Sequence, residues 1–205
     1  LNGTKWFGTD YGLTRFDDTG WSTFTGQREL VDDKVTDVVL DDSGKIWIVH
    51  STAEKGVTHY KGTDWLWYTI WNTGLPSNTV TAVTANGNGE VWFATDKGLA
   101  LFNGTSWTLY TLLDGLPSTE ISQLYTDGSG VLWFAYGRYG RRGVTRFDGE
   151  TFRTYMVNDG LNSDSILSIA EYGGTMYFGS TVGLTIYDGT AWINYPNRDR
   201  LISPN

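Results

Sequence analysis

The sequence predicts an all-β fold built from five repeated units of short antiparallel strands, and three observations support this prediction. An aromatic motif recurs five times in the 205 residues, at intervals of about 41 to 45 positions. The 26 glycines and the 15% of aromatic residues are typical of many short strands joined by tight turns. No segment has the periodicity of an amphipathic helix. The leading aromatic residues of the five copies are Trp6, Trp47, Trp92, Trp133 and Tyr177.

The third copy shows how one unit is organised. The β-branched run Val80–Val83 predicts a first strand, and Glu90–Thr95 predicts a second strand after a glycine-rich turn. Leu99–Phe102 predicts a third strand, and an Asn-Gly hairpin then leads to a fourth strand at Trp107–Tyr110. Four strands joined only by turns predict an antiparallel meander.

The length of the repeat indicates how these units assemble. A four-stranded unit cannot bury both faces of its sheet alone, and repeats of roughly 40–50 residues are typical of propellers, in which sheets stack radially around an axis. We therefore expect a single β-propeller domain over residues 1–205 with five four-stranded antiparallel blades. The repeats run approximately over residues 1–34, 35–78, 79–119, 120–163 and 164–205.

Residues that recur once per repeat are predicted to be scaffold. Repeated rings indicate packing between blades, where each ring buries on the order of 150–250 Å². Only positions that depart from the repeat are then candidates for ligand recognition. The repeated aromatic residues of the fourth strands are Trp21, Trp65, Trp107, Phe152 and Trp192.

One string within the repeat resembles a known family. Gly74-Leu-Pro-Ser-Asn78 leads through Val80 and Val83 to a glycine turn and then to Trp92-Phe-Ala-Thr-Asp-Lys-Gly-Leu. This order resembles the two-component regulator propeller repeat. The resemblance implies a sensor-type propeller, either outside the membrane and fused to a histidine kinase or free as a secreted or periplasmic protein. We therefore expect an extracellular or periplasmic location. Sensor propellers of this family often have seven blades, so a fragment of a six- or seven-bladed ring remains the alternative.

The first copy lacks the strand with which the other copies begin. Four first strands are predicted, at Val35–Asp41, Thr79–Ala85, Glu120–Asp127 and Ser165–Glu171, against five copies of the other three strands. We hypothesise a five-bladed ring whose first blade lacks its innermost strand. That strand was clipped, lies in residues absent from this sequence, or is donated by another chain, because an exposed strand edge invites pairing.

Composition excludes several classes of function. The formal net charge of −8 argues against nucleic-acid binding, which requires a basic surface, and no apolar run is long enough to span a membrane. The absence of cysteine excludes disulfides and thiol chemistry. No metal-protease, phosphate-loop or hydrolase motif is present. We expect no cofactor, although the abundant turn carboxylates leave calcium open.

An enzyme is the least favoured class of function. His50 and His59 are the two histidines, and His59 is predicted to be a half-buried strand residue rather than a catalytic base. Most carboxylates occupy turns, where aspartate usually bonds its own backbone. A lyase or a glycoside hydrolase therefore ranks below a binding protein.

The departures from the repeat supply the candidate ligand-binding residues. The fourth copy inserts a loop rich in arginine and tyrosine, whose planar cationic groups suit a carboxylate, a phosphate or an acidic sugar. The second copy has an extension that contains Glu54 and Lys55. Trp71, also in the second copy, lies in the connector to the next repeat, where its ring could stack on a sugar or cover the edge of the core. The inserted loop could instead be solvated and bind nothing. The candidates in the inserted loop are Tyr136, Arg138, Tyr139, Arg141 and Arg142.

These residues predict a non-enzymatic recognition module. Its ligand would be a small polar molecule, an oligosaccharide or a protein segment, bound at the face that holds the loops between second and third strands. The alternative is a structural subunit of an extracellular assembly, completed by a strand from a neighbouring chain.

Overall fold

The computed structural model describes residues 3–26, 28–50, 52, 54–136 and 142–196, which form nineteen strands in five sheets. Sheet 1 contains β1 (Lys5–Thr9), β2 (Gly12–Asp17) and β3 (Gly20–Phe24). Sheet 2 contains β4 (Val35–Leu40), β5 (Ile46–His50), β6 (Val57–Tyr60) and β7 (Trp65–Tyr68). Sheet 3 contains β8 (Val80–Ala85), β9 (Val91–Thr95), β10 (Gly98–Phe102) and β11 (Trp107–Tyr110). Sheet 4 contains β12 (Ile121–Thr126), β13 (Leu132–Tyr136), β14 (Val144–Phe147) and β15 (Phe152–Tyr155). Sheet 5 contains β16 (Ile166–Tyr172), β17 (Thr175–Ser180), β18 (Gly183–Tyr187) and β19 (Trp192–Pro196).

Each sheet is an antiparallel meander in which consecutive strands pair, and the sheets follow one another along the chain. The first strands of sheets 2 to 5 lie innermost, and β4, β8, β12 and β16 contact one another in that order. Sheet 1 has three strands, and its missing member is the innermost one. The predicted five-bladed propeller with an incomplete first blade is confirmed. Two 3₁₀ turns, Leu112–Asp114 and Val157–Asp159, lie in the connectors after sheets 3 and 4.

A glycine stands at the start of each third strand or just before it, and a side chain at this position would cause a steric clash. Gly98 has φ of +139°, and a Cβ on it would collide with the backbone carbonyl of Tyr110 in the adjacent fourth strand. The same collision, with the carbonyl of the equivalent fourth-strand residue, would occur at each repeat, so a side chain would push the third and fourth strands apart. The equivalent glycines are Gly12, Gly56, Gly143 and Gly183.

A bulge recurs in all four first strands and allows polar ties between sheets. The pairing register shifts at one repeat position in each strand: Val35/Asp37, Val80/Ala82, Ile121/Gln123 and Ile166/Ser168. Near the bulge of sheet 3, the Thr81 hydroxyl donates to the carbonyl of Ile121 in sheet 4 at 2.7 Å. The backbone N–H of Val83 donates to the carboxylate of Asp37 in sheet 2 at 2.9 Å. These bonds join neighbouring inner strands in register.

The turn aspartates bond their own backbone, as predicted. The Asp148 carboxylate accepts the backbone N–H groups of Glu150 and Thr151 in the hairpin of sheet 4, and these bonds hold its pKa well below the usual range. Asp17, Asp41, Asp127 and Asp188 accept backbone N–H groups in the same way. These carboxylates stabilise turns.

Aromatic rings fill the spaces between sheets. The Trp47 ring of sheet 2 is almost fully buried, and its centroid lies 5.2 Å from Phe93 and 5.6 Å from Phe102 of sheet 3. The Trp133 ring of sheet 4 lies 5.6 Å from Phe178 of sheet 5. These edge-to-face and tilted contacts are the favourable geometries for aromatic pairs. The prediction that repeated rings pack between blades is confirmed for these positions.

Rings on the outer faces of the two end sheets are partly exposed. Phe7 of sheet 1 is 43% exposed and Trp21 is 65% exposed, although Trp21 belongs to the repeated aromatic set. The residues equivalent to Phe7 are fully buried: Ile48, Phe93, Phe134 and Phe178. At the other end, Tyr195 is 41% exposed where its equivalent Tyr68 is 8% exposed. Among the described residues, these outer-face rings are therefore more exposed than their equivalents between neighbouring sheets.

Candidate functional site

The sheets present two faces with different loops. Because consecutive strands are antiparallel, the loops between second and third strands share one face with the connectors from sheet to sheet. We name this the connector face. The opposite face, here the hairpin face, holds the loops between first and second strands and the hairpins between third and fourth strands. Of the sequence-predicted ligand residues that the structure describes, Glu54, Lys55, Trp71 and Arg142 belong to loops of the connector face, and Tyr136 ends the strand that leads to one of them.

The connector between sheets 2 and 3 is held in one conformation by its own polar groups. The side-chain oxygen of Asn78 accepts the backbone N–H of Ile70 at 2.8 Å, and the Asn78 carbonyl accepts the N–H of Gly56 at 2.8 Å. The Asn72 side chain accepts the N–H of Thr69 at 2.9 Å. These bonds fix the turn that contains Trp71. The Trp71 side chain therefore points outward from a rigid support and is 77% exposed.

A cavity of about 290 Å³ lies beside Trp71, and we name it the connector cleft. Its charged groups are Glu54, from a loop of sheet 2, and Asp96 and Lys97, from a loop of sheet 3. Asp96 and Lys97 form an exposed ion pair at 3.9 Å. Glu54 has a left-handed backbone conformation, with φ of +67°, which is uncommon for a residue other than glycine. An exposed ring beside acceptor and donor groups can bind a molecule with an apolar face and hydroxyl groups.

The structure brings together two of the three candidates from the second copy. Glu54 and Trp71 both line the connector cleft, whereas Lys55 is exposed nearby and does not line it. The sequence argument did not select Ile70, Asp96 or Lys97. Asp96 and Lys97 occupy a short loop without an insertion, so a search for departures from the repeat does not select them. Only the neighbouring sheet places them beside Trp71.

The candidate loop of the fourth copy is described only at its ends. Tyr136 is the last residue of β13 and is fully buried, with its hydroxyl 2.8 Å from the Thr145 hydroxyl. Burial raises the pKa of Tyr136 to about 12. Its side chain therefore lies in the core rather than at the ligand-binding surface. Arg142 is exposed. Arg138, Tyr139 and Arg141 lie outside the described residues, and their role stays a prediction.

The hairpin face has a cleft at the same seam between sheets 2 and 3. This hairpin cleft has a volume of about 290 Å³ and is lined by Trp47 and His59, among others. The His59 ring stacks on Trp47 with centroids 3.8 Å apart and planes within 11°. His59 Nε2 lies 3.7 Å from the Asp41 carboxylate. His59 is 5% exposed, so it is more deeply buried than the sequence predicted.

Both histidines are buried and neutral near pH 7. Burial lowers the pKa of His59 to about 4, although the nearby Asp41 carboxylate acts in the opposite direction. Burial likewise lowers the pKa of His50 to about 4, and His50 Nε2 lies 2.9 Å from the Thr58 hydroxyl. A base with so low a pKa is poorly matched to proton transfer at neutral pH.

The described residues contain neither a cluster of metal ligands nor a membrane-spanning helix. No three histidine, aspartate or glutamate side chains in residues 3–26, 28–50, 52, 54–136 and 142–196 are grouped closely enough to hold a metal ion. Within the same ranges, no helix has the length and apolar character needed to cross a lipid bilayer.

Comparisons with known proteins identify similar structures but no family. No protein-family model matches the chain, and no curated protein sequence matches it. Among solved structures, it is similar to the extracellular domain of the hybrid two-component system BT4673 from B. thetaiotaomicron, with 18% identity and a TM-score of 0.70. The extracellular domain of the hybrid two-component system BT3049 from the same organism gives 17% identity and a TM-score of 0.60. A streptogramin B lyase structure gives 17% identity and a TM-score of 0.73.

The chain matches parts of these longer proteins. The alignment covers 93% of this chain but 28% of the BT4673 chain, and 98% of this chain but 34% of the BT3049 chain. For the lyase structure it covers 95% of this chain and 65% of the other. At identities this low, the likeness establishes the propeller fold and leaves the function open.

The buried histidines predict an acid-sensitive fold. Each has a folded-state pKa of about 4 against 6.5 for an unperturbed imidazole, so the unfolded chain binds more protons between these values. The histidines' contribution to stability is therefore complete above pH 6.5 and is lost as the pH falls toward 4. We expect the urea midpoint to fall across this window.

Substitution of both histidines provides the control for this prediction. A His50→Gln/His59→Leu variant should show a flatter profile between pH 6.5 and 4, since neither replacement titrates there. Imidazole NMR titration of the native protein checks the cause directly. Ordinary pKa values for both histidines would contradict it.

Proposed function

We propose that this chain is a non-enzymatic recognition module that binds an oligosaccharide at the connector cleft. The exposed Trp71 ring beside this cavity is the observation on which the proposal depends. Indole presents a flat apolar surface that suits the C–H face of a sugar ring, and tryptophan is a preferred anchor in binding sites. Glu54 and Lys97 supply an acceptor and a donor for hydroxyl groups at the rim of the same cavity.

The arrangement supports binding better than catalysis. The turn aspartates use their oxygens to hold the backbone, as Asp148 does, and both histidines are buried. A lyase or glycoside hydrolase would require an accessible acid and base at one cleft. The connector cleft has two carboxylates, Glu54 and Asp96, and Asp96 already accepts the Ser77 hydroxyl and pairs with Lys97.

We further propose an extracellular or periplasmic location. The support is the likeness to extracellular domains of two-component systems, together with the repeat motif around Gly74–Asn78. In such a setting the chain would serve as the ligand-recognising part of a sensor or of a free binding protein.

Removal of the Trp71 ring tests the binding proposal. A glycan array should identify at least one oligosaccharide that binds the native chain, and Trp71→Ala should weaken that binding by at least about tenfold, which corresponds to roughly 1.4 kcal/mol. Isothermal titration calorimetry measures both affinities. Trp21→Ala, which removes another largely exposed ring, from sheet 1, is the matched control and should bind as the native chain does. An array without any binder, or equal affinity for native chain and Trp71→Ala, would rule out the proposal.

A second candidate function follows from the free edge of sheet 1. Among the described residues, β1 pairs only with β2, so its inner edge offers unpaired backbone groups. We propose that a strand from a neighbouring chain pairs there, which would make this chain a subunit of a larger assembly. Each of the four first strands begins with valine or isoleucine and has valine, leucine or isoleucine three residues later. The donated strand should follow this pattern.

A peptide taken from the chain itself can test strand donation. A synthetic peptide of residues 79–85, which contains the first strand of sheet 3, should bind the native chain saturably in fluorescence anisotropy. The same peptide with Ala82→Pro and Thr84→Pro should not bind, because proline removes the N–H groups that a strand ladder requires. Equal behaviour of the two peptides, or no binding by either, would eliminate this candidate.

A further inference from the structure

The hairpin cleft contains buried polar atoms that no protein group satisfies. Trp47 Nε1, His59 Nδ1 and His59 Nε2 are all buried, and none has a hydrogen-bond partner. Trp47 is 1% exposed and His59 is 5% exposed, yet both side chains line the cavity. A buried donor without a partner costs stability, so native proteins usually satisfy it with a protein group, a water molecule or a ligand.

The equivalent seam between sheets 4 and 5 shows how the scaffold satisfies the same tryptophan. There the indole N–H of Trp133 donates to the second carboxylate oxygen of Asp127 at 2.8 Å. The first oxygen of Asp127 accepts backbone N–H groups of its own turn, and Asp41 uses its first oxygen in the same way. In sheet 2, however, Trp47 has no such bond. The position of Arg146 is occupied by His59, which stacks on Trp47 and faces the free oxygen of Asp41.

The charges of the cleft are balanced. Asp41 and Asp42 carry two negative charges, and Lys45 and Lys61 carry two positive charges. His59 is neutral near pH 7 because burial lowers its pKa to about 4. A charged ligand would disturb this balance, whereas a neutral one would not.

The size and walls of the cleft limit its occupant further. A volume of about 290 Å³ lies at the lower end of the range for small-molecule sites, roughly 300–1,000 Å³. The rings of Tyr68 and Phe102 form part of the lining. A hydroxyl group both accepts and donates, so it can accept the N–H of Trp47 or His59 and donate to Asp41 at the same time.

We propose that the hairpin cleft is a second binding site, separate from the connector cleft, for a small neutral polyhydroxylated molecule of monosaccharide or polyol size. Trp47 and His59 would donate to its hydroxyl oxygens, and the free Asp41 oxygen would accept from a hydroxyl hydrogen. The site lies at the same seam as the connector cleft but on the opposite face of the sheets.

NMR of the tryptophan side chains tests this site directly. The native chain, labelled with ¹⁵N, is titrated with glucose, galactose, mannitol and glycerol while the indole N–H resonance of Trp47 is followed, with Trp47→Phe used for its assignment. At least one of these molecules should shift the resonance along a saturating curve. Asp41→Asn, which keeps the oxygen that holds the turn and removes the acceptor that faces His59, should weaken binding roughly tenfold or more.

Two variants serve as matched controls. Asp127→Asn alters the same turn position in sheet 4, where the second oxygen is already bonded to Trp133, and should leave the Trp47 titration unchanged. Trp71→Ala should also leave it unchanged, which separates this site from the connector cleft. If Asp41→Asn fails to fold, His59→Leu tests the same site. Leucine occurs at this repeat position as Leu101, so the His59→Leu variant should fold. It should also weaken the binding.

Two results would overturn the proposal. One is a Trp47 resonance that none of the four molecules moves, which would mean that water alone satisfies the buried donors. The other is a titration that is the same in the native chain, in Asp41→Asn and in His59→Leu.

Discussion

Aromatic packing between successive sheets is the constraint on which the rest of the structure depends. No four-stranded sheet of this size can bury both of its faces alone, so each sheet must place its rings against the next one. Trp47 against Phe93 and Trp133 against Phe178 show the same solution at two seams. This requirement explains why aromatic residues recur at the same positions of each repeat. It leaves the loops free to vary.

The seam between sheets 2 and 3 holds both of the proposed binding sites. On the connector face, Trp71 of the connector after sheet 2 and Lys97 of sheet 3 line the same cavity. On the other face, His59 stands at a position that holds arginine, leucine or isoleucine in the other sheets, and the indole N–H of Trp47 has no partner. Both clefts exist because neighbouring sheets meet there, so neither is a property of one repeat.

The sequence predicted the architecture because an approximately 40-residue repeat leaves few alternatives, and even the missing strand of sheet 1 followed from the register of the copies. Predictions failed where contacts between distant parts of the chain decide the outcome. Tyr136 was assigned to a loop, but it ends β13 and its hydroxyl finds Thr145 in the core. Lys97 lies in a loop without an insertion, so the sequence gives no reason to select it. Only the packing of sheet 2 against sheet 3 shows that it lines the connector cleft.

The most direct test of this account compares one substitution at two equivalent positions of the repeat. Phe93 lies between sheets 2 and 3 and is fully buried, whereas Phe7 lies on the uncovered face of sheet 1. If packing between sheets stabilises the fold, Phe93→Ala should reduce the free energy of unfolding in urea by about 3–5 kcal/mol. Phe7→Ala should reduce it by about 1 kcal/mol or less. Equal losses at the two positions would contradict the account.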